Sequence, residues 1–166
     1  NEEQGKIEAS TQWAESELVT HAFGQGIAVT PIQLITAFSA LANKGILMKP
    51  QIISEQIHGD GTVSSFEPEE VRRVISEKTA ATISAMLVSV VENGGSKRAA
   101  VKGYRVGGKT GTAQTYKNGK PLTGPGTTIG SFVGFAPLNN PRFAILVKID
   151  RPRTTIWADG TAAPLF

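Results

Sequence analysis

The chain has 166 residues, with 40% hydrophobic and 19% charged residues, a formal net charge of +3 and a pI near 9.3. This is enough apolar material for a core, and it excludes a disordered chain. The scattered basic residues, closest together at Lys97-Arg98, Lys102 and Arg105, argue against a nucleic-acid binder. With no cysteine and only His21 and His58, a thiolate metal site, a zinc site and a Ser-His-Asp triad are excluded or disfavoured, and no metal or cofactor is expected. His21 reads as a packed or capping residue near the Phe23 turn.

Residues 1–20 are polar and carry few signals. Ala22 to Gly26 reads as a loop, because two glycines in three positions oppose helix. A helix is predicted from Thr30 as N-cap, with Pro31 at its first position and Gln33 completing a capping box. Leu34, Ile35, Phe38, Leu41 and Ala42 recur at helical spacing, and Asn43-Lys44-Gly45 supplies the stop. Residues 46–66 read as a hairpin about Asp60-Gly61, and Val71 to Ile75 as a short strand. Ser76 caps a second helix whose apolar face is predicted to hold Ile83, Met86, Leu87, Val90 and Val91, with Asn93-Gly94-Gly95 as its end. Strands are predicted over Tyr104 to Tyr116, Thr128 to Ala136 and Arg142 to Ile149, with a turn at Asn118-Gly119 and a short loop at Asn139-Asn140-Pro141. The class is therefore α+β, an antiparallel sheet with packed helices.

Gly103 to Gln114 admits two chemical readings. Gly103, four residues, then Gly108-Lys109-Thr110 fits the phosphate-loop pattern of a nucleotide hydrolase. Such a loop must follow an apolar strand and open a helix. Here Arg98 to Lys102 precedes it, and Gly111 with β-prone Thr112, Thr115 and Tyr116 follows, so the context opposes that reading. The alternative is the K-T-G element of serine penicillin-recognising enzymes. On an edge strand Lys109 brings positive charge to a cleft, and Gly111 lets an extended acyl chain approach the backbone. The Thr112 hydroxyl can then donate to a carboxylate while its N–H points at a developing oxyanion.

The surroundings favour the second reading. Ala22-Phe23-Gly24-Gln25-Gly26-Ile27, Thr30-Pro31-Ile32-Gln33-Leu34 and Ala40-Leu41-Ala42-Asn43-Lys44-Gly45 resemble the region before the K-T-G strand in class B penicillin-binding proteins. Gly107 to Gln114 resembles their active-site strand, Ser131 to Pro137 the strand beside it, and Ala162 to Phe166 the start of their last helix. The resemblance implies the C-terminal portion of a penicillin-binding-protein/β-lactamase-like transpeptidase domain, with residues 1–166 a partial domain. It implies a D,D-transpeptidase parent that cross-links peptidoglycan stem peptides through a serine acyl-enzyme and binds β-lactams. Lys109 is then the catalytic residue of this chain, and Thr110, Gly111 and Thr112 bind substrate.

No serine here has Lys three residues later or Asn two residues later, so the family's S-x-x-K and S-x-N motifs are absent. Asn1 and Phe166 both read as cuts in a longer protein. The fragment alone is expected to be inactive, and to pair with the remainder of its domain, self-associate or be poorly stable by itself. A non-catalytic β-lactam sensor is the alternative. No segment reaches the ~20 apolar residues that cross a bilayer. The resemblance places the parent at the outer face of the bacterial cytoplasmic membrane, held by an N-terminal anchor outside this chain.

Overall fold

A computed structural model describes residues 3–166. Four helical or strand segments open the chain. Helix α1 spans Glu15–Ala22, α2 Pro31–Ala42, strand β1 Ile46–Met48 and β2 Glu55–Ile57. They are followed by β3 (Val63–Ser65), β4 (Glu70–Arg73), α3 (Glu77–Glu92) and β5 (Gly107–Gln114). A two-residue pair, β6 (Tyr116–Lys117) and β7 (Lys120–Pro121), leads to the long strands β8 (Thr128–Ala136) and β9 (Phe143–Asp150). Single 3-10 turns occur at Ser10–Gln12, Lys97–Ala99, Ala158–Gly160 and Ala163–Leu165.

The caps act as their residues predict. The Thr30 hydroxyl accepts the Gln33 N–H at 3.2 Å, and the Gln33 side chain accepts the Thr30 N–H at 2.9 Å, a reciprocal capping box. Ser76 Oγ accepts the Thr79 N–H at 3.0 Å and starts α3. Helix α1 is a finding beyond the expectation, since residues 15–22 carry no apolar stripe strong enough to announce it. Glu17 begins it by accepting the Ala14 N–H at 2.7 Å. Residues 46–66 also differ in part. The hairpin about Asp60-Gly61 is β2–β3, but Ile46–Met48 leaves it and pairs antiparallel with β4.

The buried face of α3 is Ala80, Ser84, Val88 and Val91, with Ile83, Leu87 and Val90 half-buried. Met86, expected on this face, is exposed. It stands about 200° around the helix from Ser84. Helix α3 packs along β5, with Leu87 coming up to Gly107.

The main sheet has the order β5-β8-β9, antiparallel throughout. Its middle strand is covered on both faces, with Phe132 and Phe135 fully buried on opposite sides. Phe132 anchors a cluster of Val91, Ala99, Val106, Ala162 and Ala163, and meets Phe166 edge-on at 4.9 Å. Burying one such phenyl ring contributes about 1.5–3 kcal/mol. Ala162 to Phe166 forms a 3-10 turn where a helix start was expected.

Candidate functional site

Strand β5 lies at the edge of the main sheet, and the ladder decides which of its groups face outward. Thr128 C=O accepts from Arg151 N–H at 2.8 Å, and Ala136 C=O from Arg142 N–H at 2.9 Å. Even-numbered residues of β8 therefore direct their backbone toward β9, and odd-numbered ones toward β5. Thr110 is opposite Phe132 and Thr112 opposite Gly130. Their N–H and C=O groups consequently point away from the sheet, to the free edge. One group occupies that edge: the Lys109 ammonium donates to Thr110 C=O at 3.0 Å.

Side chains alternate across the strand. Lys109 and Gly111 share a face with Val133 and Ser131, while Thr110 and Thr112 share the other with Phe132 and Gly130. Lys109 and Gly111 are exposed, and Thr110 and Thr112 are half-buried. Gly111 lies close to the Ser131 hydroxyl. A Cβ there would stand 2.7 Å from Ser131 Oγ, whose hydroxyl donates to Gly111 C=O at 3.3 Å. The Thr110 hydroxyl lies 3.5 Å from that of buried Ser96, and the Thr112 hydroxyl accepts the Ala158 N–H at 3.2 Å.

The four residues singled out from the sequence thus form one continuous edge. Lys109 and Thr110 sit inside a strand, and no α-helix opens after them, which overturns the phosphate-loop alternative. Thr128 faces inward and donates to Ile156 C=O at 3.0 Å, and Ser131 lies on the Lys109 face. His21 is packed as expected, edge-on to Trp13 at 4.5 Å with Nε2 donating to Gly26 C=O at 3.3 Å. The concavities lined by Trp13 and His21, and by Ile32 and Leu47, include no residue of β5. Ser96, Gly130 and Ala158 were not foreseen. Gly130 had a legible signal, since a glycine inside a strand marks a close backbone approach. Ala158, 46 residues from Thr112, had none.

Comparison with known proteins gives the same assignment. The family described as "Penicillin binding protein transpeptidase domain" matches residues 1–166. Stage V sporulation protein D of Bacillus subtilis is 47% identical over 152 residues, covering 90% of this chain and 23% of that protein. The probable peptidoglycan D,D-transpeptidase PenA of Neisseria flavescens is 34% identical, covering 98% of this chain and 38% of that protein. Penicillin-binding protein 3 of Mycobacterium tuberculosis, in complex with aztreonam, superposes with a TM-score of 0.84 at 33% identity, over 98% of this chain and 38% of that one. The chain therefore spans about a quarter to two fifths of the length of the relatives it matches. Family match, fold and the K-T-G edge agree: this chain belongs to the transpeptidase domain family of penicillin-binding proteins.

Proposed function

We propose that this chain supplies one wall of the acyl-transfer cleft of a peptidoglycan D,D-transpeptidase. The observation that carries the proposal is the outward-facing backbone of Thr110 and Thr112 beside the Lys109 ammonium. An extended stem peptide can add to that edge as a further antiparallel strand. The nucleophile is a serine of an S-x-x-K segment outside this chain. Its hydroxyl attacks the scissile carbonyl, the terminal D-amino acid leaves as amine, and the amine of a second stem peptide then releases the serine. Thr112 N–H supports the oxyanion, Lys109 supplies positive charge, and the hydroxyls of Thr110 and Thr112 hold the substrate carboxylate. Partners are peptidoglycan stem peptides and, as inhibitors, β-lactams. The site of action is the outer face of the cytoplasmic membrane. Among the described residues no helix is long and apolar enough to cross a membrane.

A labelled penicillin tests the reading on the full-length protein. It should acylate the serine, and Lys109→Ala should slow acylation on the order of 100-fold or more. Unchanged acylation in that variant, or labelling of the 166-residue chain alone, contradicts the assignment. Acylation without turnover of a stem peptide would favour the sensor alternative.

A further inference from the structure

The Thr112 hydroxyl has one proton and two lone pairs. One lone pair is taken by Ala158 N–H, and among the described residues its proton has no acceptor. The peptide unit that makes this bond is gripped at both ends. Its N–H belongs to Ala158, and its carbonyl, that of Trp157, accepts from the Thr161 hydroxyl at 3.1 Å. The preceding carbonyl, Ile156, accepts from Thr128 at 3.0 Å, and Arg98 pairs with Asp159 at 3.6 Å. Thr128, Ala158 and Thr161 are all buried.

Gly130 completes the arrangement. It is the cross-strand neighbour of Thr112, and a Cβ on it would stand 2.7 Å from Thr161 Oγ1 and 3.4 Å from Ala158 Cα. A side chain at 130 must displace the Thr161 hydroxyl, which is bonded to Trp157 C=O.

We infer that the turn Trp157–Thr161 is a positioning device that orients the Thr112 hydroxyl and biases it toward donation. By donating to Thr112 it occupies one lone pair and strengthens the remaining O–H as a donor toward the cleft, which favours an acceptor there, best an anionic carboxylate. Thr161 and Gly130 are positioning residues that act through Ala158. A hydroxyl–carbonyl bond at one end of a peptide unit polarises it and strengthens donation from the other. The inference rests on the transpeptidase reading for its substrate and on the turn alone for its geometry.

The experiment separates the two. In the full-length protein, second-order acylation is measured with benzylpenicillin and with its methyl ester, whose carboxylate is neutralised. Thr161→Val and Gly130→Ala should each lower the acid-to-ester rate ratio about tenfold, because the charged acceptor gains most from a well-placed donor. Thr161→Ser should restore the wild-type ratio. Hydrogen exchange of the Ala158 amide, followed in wild type, Thr112→Val and Gly130→Ala, should show faster exchange in both variants. An unchanged ratio in folded Gly130→Ala, or unchanged Ala158 protection, overturns the device. Failure of wild type to react with either compound would instead defeat the transpeptidase reading, and amide exchange would still judge the turn.

Discussion

Gly111 shows how little room the edge leaves. Its missing side chain clears space on one side for the Ser131 hydroxyl, and on the same face the strand stays open beside Lys109. The two consequences can be pulled apart. Gly111→Ala must displace Ser131 Oγ, which can rotate, so stability should fall by only about 1 kcal/mol. Adding Ser131→Ala should recover part of that loss in thermal melts. Acylation by penicillin should remain depressed in both the single and the double variant, because the new methyl stands on the face that carries the Lys109 ammonium. Recovery of acylation in the double variant would mean that Gly111 serves only the packing of Ser131.

Among the elements, the β2–β3 hairpin stands apart from the main sheet and depends on its own turn. The Asp60 carboxylate accepts the Thr62 N–H at 3.0 Å and the Thr62 hydroxyl at 2.7 Å. These bonds, the backbone one first, hold the Asp60 pKa below the ordinary carboxylate value. A depressed folded pKa means that the turn's contribution is fully present above the unfolded value. It is lost as pH falls through the lowered one. NMR titration should therefore find the Asp60 midpoint below that of an unstructured peptide. Thr62→Val should raise it part of the way, since the N–H remains. A midpoint at the peptide value would refute the turn geometry. The longer elements α3 and β8 are also tied to one another through a buried core.

At the scale of the whole molecule, the core is concentrated around β8 and much apolar surface lies away from it. Leu18, Val19 and Phe23 are more than 60% exposed, as are Ile52 and Ile57 on the β2–β3 side. Clusters of exposed large apolar side chains favour association. The isolated 166-residue chain should therefore sediment as concentration-dependent oligomers at micromolar protein. Leu18→Ser combined with Phe23→Ser should shift it toward monomer. A concentration-independent monomer would show that these side chains are tolerated in water. The free edge of β5 adds to the tendency, because unpaired N–H and C=O groups template further strands.

The local elements were largely legible in the residues. Thr30, Pro31 and Gln33 determine where α2 begins, Ser76 where α3 begins, and the strand-like run Thr128 to Ala136 gives β8 at its observed bounds. These features depend on neighbours a few positions apart, so chain order contains them. The K-T-G-T motif was legible too, and its flanking segments carried the family resemblance. What the residues alone did not determine was orientation in space. Met86 was expected inward, yet Ala80, Ser84, Val88 and Val91 hold the buried face of α3, and Leu87 rather than Met86 comes up to Gly107. Which backbone groups of β5 face outward followed only from the pairing of β8 with β9. The state of the Thr112 hydroxyl followed only from Ala158, which tertiary packing brings across 46 residues. Sequence carries propensity and motif, whereas hydrogen-bond direction and steric approach exist only once distant segments share a surface.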